Sequence, residues 1–440
     1  MSQATGMSVY SVYAGLFGVR ELEGIFVRFT QRLMAPDAAL PKAWLVVLAL
    51  GLFVQLTGLL FNSDGSRYAT QTYLLLFVPA LVLLLWQRFS WHTWRQAPGV
   101  FFLCLLAWVL LSGLFNPGSN SGAVYWLKIV LLILLYVFAV VSLVRHERAF
   151  TWLLVVVVAV AVVFAWLTLY YQFGVLDKPV GYKALRHARL HELGWRGMAD
   201  LKNPIIAGLY YGVFAVLLTY LLVGLKVRAW QAALLVMGMS GLLTYVLFTA
   251  SRGAWFATAA GCLVALLLFP NIKSRALIGL SCLVVIAAVG LFWPEIQHER
   301  KIGVSGRDLI WGNWVERLPE FWLMGTGAGA DLIFNFPNSS HGFLHAHSLY
   351  LQLWYEYGIA GFGLFILLLL SLLWKGWQCR AEPLARLGLA LLVLAMVAMV
   401  SDVYAIFHRP SPYWVLFWFP VGILLGVGHH RRLDSAASVV

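Results

Sequence analysis

The sequence predicts an all-α polytopic membrane protein, and three observations carry that prediction. Of its 440 residues, 62% are hydrophobic and only 11% charged, more apolar surface than a water-soluble fold hides. The apolar residues gather in runs near the length a bilayer-spanning helix requires, about 20 residues. Lysine and arginine then recur in every second connection between those runs, the charge bias that sets membrane orientation. One membrane domain over 43–428 is expected, between an N-terminal segment 1–42 and a short tail 429–440.

In the first segment Arg20, Arg28 and Arg32 lie among Val9, Val12, Tyr13, Leu16, Leu22, Phe26, Phe29 and Leu33, spaced like one helix face. That pattern predicts an amphipathic helix lying in the interface. It lacks the short apolar core and small-residue cleavage site of a signal peptide. About twelve transmembrane helices are expected, near 43–61, 70–86, 99–115, 124–143, 150–172, 204–223, 231–249, 254–269, 275–293, 348–374, 387–406 and 412–428. An even number puts both termini on one side. Arg88 and Arg95, Arg145 and Arg148, Lys226 and Arg228, Lys273 and Arg275, Lys375 with Arg380 and Arg386, and Arg431 with Arg432 mark that side as cytoplasmic.

The opposite connections are mostly short, except for 173–203 and 294–346. The first carries Lys178, Lys183, Arg186, Arg189, Arg196 and Lys202 against Asp177, Glu192 and Asp200, an excess of base where the orientation rule disfavours it. If RHARLHELGWRG is helical, Arg186, Arg189 and Arg196 share a face that overhangs the membrane and suits something anionic. A solvated or headgroup-anchoring face is the plainer alternative. In the second loop, SGRDLIWGNWVERLPEFW presents Leu309, Ile310, Trp314, Leu318 and Phe321 as a helix in the headgroup layer. Cys104, Cys262, Cys282 and Cys379 are isolated, so neither a disulfide framework nor a CxxC metal site is expected.

The stretch Gly325–Gly361 joins a glycine-rich loop to a long apolar helix and holds His341, His345 and His347 at the junction. A histidine tuned near neutral pH suits a general base that takes a proton from an attacking hydroxyl, and His347, adjacent to the helix start, is the best placed. The H-x3-H spacing also fits a metal pair, but no Glu base or third ligand stands nearby, so no metal is assigned. Glu356, inside the helix, reads either as a structural hydrogen-bond partner or as an intramembrane acid with a function. Arg252, in the turn Ser251-Arg252-Gly253, either snorkels to headgroups or supplies a planar donor fork to phosphate. Arg307 does the same or pairs with Asp308 or Glu316. Asp402, His408 and Arg409 at the next helix end are weaker candidates of the same kind. No Asp-x-Asp occurs anywhere, which leaves fixed arginines to do the work a divalent cation does in many glycosyltransferases and predicts metal-independent chemistry with no cofactor.

These residues resemble the O-antigen ligase and polymerase superfamily of bacterial inner membranes. The resemblance rests on SRG before an apolar helix, SGRDLIW before GTGAG, and His347-Ser348-Leu349 with Glu356-Tyr357-Gly358. GWRGMADLKNPIIAG is similar to the family's Arg-Gly segment leading to an Asn-Pro helix start, with Ile205 where a second Asn is usual. The ligase branch fits best by length, two-loop layout and basic first loop. The resemblance implies a GT-C-type glycosyltransferase fold and transfer of O-antigen polysaccharide from undecaprenyl diphosphate to lipid A-core at the periplasmic face of the inner membrane, with no nucleotide sugar. The residues themselves supply a compatible mechanism, with His347 as general base or acceptor-orienting group and Arg189, Arg196, Arg252 and Arg307 as diphosphate and transition-state clamps; Arg186, His345 and Glu356 are secondary candidates. Membrane lipids, and no nucleic acid, complete the expected partners. An O-antigen polymerase or protein O-oligosaccharyltransferase would use the same donor. A lipid-linked sugar transporter would instead need charges near the midplane in repeated halves, and this chain gathers them in two unequal loops.

Overall fold

A computed structural model describes residues 42–86, 91–225, 228–303, 306–335 and 342–428. The expected amphipathic segment, the C-terminal tail, His341, Arg88 and Lys226 lie outside the described residues, apart from residue 42. The described residues are mostly helical, with one small antiparallel pair among them, Phe334–Asn335 against Gly342–Phe343. Each of the twelve apolar runs is found as a helix. Ten are long and apolar enough to cross a membrane: α1 Ala43–Phe61, α2 Gly65–Leu85, α3 Ala97–Phe115, α4 Ala123–Val144, α5 Glu147–Val175, α6 Pro204–Gly224, α7 Ala229–Phe248, α9 Ile272–Leu291, α10 Leu349–Gln378 and α11 Pro383–Ser401. Two are shorter, α8 Arg252–Leu268 and α12 Trp414–Gly426. The protein is a multi-pass membrane protein.

The helix starts follow from local chemistry. Asn203 caps α6 by accepting from Ile205 N, with Pro204 at the first position, where its missing N–H is not needed. Ser251 caps α8 by accepting from Ala254 N. The core forms around α4, α6 and α11, and α6 packs against α7, α8 and α11. Close approach there depends on small residues: a Cβ on Gly212 would stand 2.2 Å from Thr258 Oγ1.

α10 is broken inside its span. Gly358 has φ 64°, and a Cβ there would meet Leu323 O at 2.2 Å. The groups this break frees are taken up by the glycine-rich loop and its neighbours. Ile359 N donates to Trp322 O (2.9 Å), Gly327 N to Glu356 O (3.0 Å), Thr326 N to Tyr355 O (2.8 Å) and Trp108 Nε1 to Tyr357 O (3.0 Å). Irregular backbone at such a depth survives only when protein satisfies it in this way.

The first long loop departs from the expected helix, and the second forms helices but turns their apolar face to protein. In the first, helix runs only over Tyr182–His187, because Ala188 leaves helical geometry and Gly194, Arg196, Gly197, Ala199 and Lys202 all take positive φ. The common face expected for Arg186, Arg189 and Arg196 therefore does not exist. In the second, α9 is followed by helices Trp293–Ile302, Arg307–Glu316 and Leu318–Phe321. Ile310, Trp314 and Phe321 point into a small core of their own with Leu332, Ala346 and Tyr355, while Leu309 stays exposed. The expected headgroup face is thus largely a protein-packing face, because α10 and the glycine-rich loop cover it.

Candidate functional site

The tight turn between α7 and α8 builds the floor of the site. Ala250 takes φ 48°, which turns the chain sharply and leaves the Thr249 and Ala250 carbonyls open to the first long loop. Arg189 Nε donates to Thr249 O (2.8 Å) and Arg186 Nη1 to Ala250 O (3.0 Å). The next residues of that turn carry Arg252, whose Nη1 donates to Glu299 O (3.2 Å) and Nη2 to Gly303 O (2.7 Å). Glu299 gathers the cluster: its carboxylate lies 3.0 Å from Arg186 Nε and 3.6 Å from Arg252 Nε, and accepts from the Tyr182 hydroxyl at 2.6 Å.

Arg307 reaches across from the second loop to Asp402, at the C-terminal end of α11, with Nη2 2.9 Å from Oδ1. Neither Asp308 nor Glu316 is its partner. Asp402 sits against the first turn of α8, where the helix dipole favours a carboxylate. Gly253 makes that approach possible, since a Cβ there would lie 1.4 Å from Asp402 Oδ2. Burial pushes the Asp402 carboxyl upward, and Arg307, Arg189 and Arg252 work against that shift. Arg189 also feels Arg186, Glu299 and Arg307, so four guanidiniums and two carboxylates form one electrostatic unit.

The imidazoles stand beside it. His347 precedes Ser348, the N-cap of α10, and takes φ 53°, a left-handed conformation that histidine tolerates better than most side chains. Its ring lies 4.2 Å from that of His345, which stacks on Tyr404 at 4.0 Å and 8°. Ala346 between them is pinned from both sides: Trp311 Nε1 donates to Ala346 O (2.9 Å), and Ala346 N donates to Gln352 Oε1 (3.0 Å). His347 Nε2 is buried and has no hydrogen-bond partner among the described residues. Burial, reinforced by His345 and Arg307, lowers the His347 pKa from 6.5 to about 4. The imidazole is therefore neutral at pH 7, with a ring nitrogen able to accept a proton.

The structure thus brings together His347, His345, Arg186, Arg189, Arg252 and Arg307. It does not bring Arg196 to them. That residue is exposed, stacks on Trp195 at 5.1 Å, and belongs to a turn held against the end of α1 by Ala199 N donating to Leu60 O (2.9 Å). Glu356 is buried and hydrogen-bonded: Oε2 accepts from Gly329 N (2.9 Å) and Oε1 from Gln352 Nε2 (2.8 Å). The glycine-rich loop and Glu356-Tyr357-Gly358 are two halves of one joint that fixes the histidine turn. Both ring nitrogens of His408 lie near backbone carbonyls of its own turn, 2.6 Å from Arg409 O and 3.2 Å from Ala405 O.

Glu299, Tyr182, Trp311, Gln352 and Tyr404 gave no signal in the sequence, because their partners lie far away along the chain. Among the described residues, His191, Glu192 and Asp200 offer donor atoms within 4.8 Å of one another, a set that suits a cation. Lys202 already supplies a positive charge there, its Nζ 2.5 Å from Asp200 Oδ2.

Residues 237–366 match the family model described as O-antigen ligase, a stretch that holds Arg252, Glu299, Arg307, His345, His347 and Glu356. Along more of its length the chain is similar to an O-antigen ligase of Pseudomonas aeruginosa, 24% identical over 398 residues, covering 89% of this chain and 92% of that protein. Arg186, Arg189, Asp402 and Tyr404 complete the site from outside the matched stretch, and by both comparisons the chain is similar to O-antigen ligases.

Proposed function

We propose that the protein transfers O-antigen polysaccharide from undecaprenyl diphosphate to lipid A-core at the periplasmic face of the bacterial inner membrane, completing lipopolysaccharide. In this reading both termini are cytoplasmic, and the twelve helices form a GT-C-type glycosyltransferase with loops 173–203 and 294–346 outside. The observation that carries it is the buried, unpartnered Nε2 of a neutral His347 beside four clustered arginines. Such a pair of features serves a reaction in which a hydroxyl loses a proton while a diphosphate departs.

The acceptor hydroxyl attacks the anomeric carbon as its proton passes to His347 Nε2. The new carbon–oxygen bond forms while the bond to the diphosphate breaks on the opposite face, which inverts the anomeric centre. The electron pair leaves with undecaprenyl diphosphate, whose charge Arg186, Arg189, Arg252 and Arg307 stabilise, the role a divalent cation plays in other glycosyltransferases. Asp402 and Glu299 hold these guanidiniums ready until the donor's phosphates compete for them. When phosphate pairs with Arg307, one of the charges that lowers the imidazole is neutralised, which makes His347 a stronger base as the donor arrives. Arg196, the exposed member of the expected clamp, meets the donor or acceptor only at the rim.

The test is transfer by purified protein in detergent with EDTA. Wild type is expected to transfer lipid-linked polysaccharide to lipid A-core. His347→Ala is expected to lose about 10²–10⁴ in rate and Arg252→Ala about 10²–10³, both with unchanged melting. Retained activity in His347→Ala removes the imidazole from the chemistry. Transfer only to a second lipid-linked chain or to pilin reassigns the acceptor, and activity lost in EDTA alone overturns the arginine account.

A further inference from the structure

At the far end of the bundle from His347, α8, α10 and α11 frame an apolar groove of about 390 Å³. α8 and α10 both pack on α11, and the groove runs between them, lined by Val264 and Leu268, Leu370 and Trp374, Trp377 and Leu389. Its position follows from chain direction. These helices begin or end at Arg252, Ser348 and Asp402 on the site side, and the groove is built from their opposite ends.

The rim of this groove is basic. Arg380 lies over the Trp377 ring at 4.5 Å and Arg386 over Phe269 at 4.7 Å. Arg386 Nε donates to Arg380 O at 2.6 Å and Arg380 Nη1 to Trp377 O at 2.9 Å, which ties both guanidiniums to the groove mouth. Among the described residues neither forms a salt bridge, and the nearby Glu382 is turned away, accepting from Gly428 N at 3.0 Å. A guanidinium stacked on an aromatic ring keeps in-plane donors for phosphate oxygens. Trp374 and Trp377 are 65% and 51% exposed, as aromatic residues are where helices leave the hydrocarbon.

We propose that this groove is a binding site for one anionic phospholipid, its acyl chain between α8 and α10 and its phosphate on Arg380 and Arg386. An apolar groove with two aromatic-backed arginines beside it matches that ligand in shape and in charge. Basic pockets between spanning helices recognise anionic headgroups by these same terms. The site needs none of the transfer chemistry above and stands whether or not that reading holds.

Native mass spectrometry of the purified full chain tests it, with phosphatidylglycerol and phosphatidylcholine of identical acyl chains added separately. Wild type is expected to retain phosphatidylglycerol about tenfold more strongly. Arg380→Gln with Arg386→Gln is expected to abolish that preference, whereas Arg380→Lys with Arg386→Lys keeps most of it. Val393→Phe, which fills the groove and leaves both arginines in place, is expected to weaken retention of both lipids. Equal retention of the two lipids by wild type overturns the proposal, as does a preference that survives both the glutamine and the phenylalanine variants. Tighter retention of a polyprenyl phosphate than of phosphatidylglycerol overturns the phospholipid assignment.

Discussion

Two helices of this protein, α6 and α9, are equally apolar and nearly equal in length, yet 89% of the apolar stretch of α6 is buried in the bundle against 6% for α9. Hydropathy selects both for the bilayer and says nothing about which one forms the core. Small residues make the difference. A Cβ on Gly208 would stand 2.7 Å from Ala254 Cβ and one on Gly212 2.2 Å from Thr258 Oγ1, while nothing lies within 4 Å of one on Gly279 or Gly290. Lipid tails are as apolar as leucine, so helices meet where backbones approach closely. The consequence reaches the site. Arg252, His347 and Asp402 belong to helices packed into the bundle, whereas Glu299 arrives on Trp293–Ile302 at the end of the outlying α9. A fixed part carries Arg252, His347 and Asp402, and a lightly anchored arm brings Glu299 to Arg186 and Arg252.

Changes in the fixed part sharpen this contrast most. The largest effect we expect concerns the protonation of His347. With its pKa lowered to about 4, the neutral imidazole persists well below the free value of 6.5. Transfer rates measured from pH 8 downward should hold through pH 6 and fall as pH approaches about 4, with up to about 10²–10⁴ lost when the base is fully protonated. Arg307→Ala should raise the imidazole pKa, read as an upward shift of its histidine ring resonances with pH. Unchanged titration would separate the two groups.

Gly253→Ala comes next. The added methyl collides with Asp402 Oδ2, so the carboxylate must move and release Arg307. A misplacement of about 1 Å can cost about 10²-fold in rate. We expect that loss in the transfer assay with substrate lipids at saturation, and near-normal activity would show that Asp402 does not position Arg307.

Packing itself gives the third test. Gly212→Val in α6 should destabilise the protein by about 1–3 kcal/mol. Gly279→Val in α9 should stay within about 0.5 kcal/mol of wild type. Thermal melts in one detergent measure both, and equal losses would erase the distinction between the helices.

The smallest effect is expected on the arm. Glu299→Gln removes one charge shared by Arg186 and Arg252, whose side chains are each 27% exposed. Pairs this accessible contribute about 0.2–1 kcal/mol. We expect roughly a fivefold change or less in the donor KM, with kcat unchanged. A collapse of kcat would give Glu299 a larger part than holding the guanidiniums.

Much of this was legible beforehand. The apolar runs marked the apolar helices because a bilayer demands them locally, and the His347-Ser348-Leu349 and Ser251-Arg252-Gly253 motifs pointed to the place where arginines and imidazoles meet. Individual roles were less so. Gly253 read as a turn glycine, and its purpose emerged only with Asp402 against it. Glu356 reads as a structural hydrogen-bond partner or a functional acid, and only the fold names its partner, the glycine-rich loop. The helical face expected to unite Arg186, Arg189 and Arg196 failed because a chain of positive φ values unwinds the loop after His187.

The sequence by itself determined that this chain crosses the membrane many times and that its candidate arginines and imidazoles lie in two long loops and one turn. Composition and spacing are local properties, and a local rule reads them. Only the tertiary structure decided that Arg307 pairs with Asp402, that Arg186 and Arg252 share Glu299, and that Arg196 stands apart. Charge pairing depends on distance in space, and residues 95 apart in the chain meet only when the helices between them have packed.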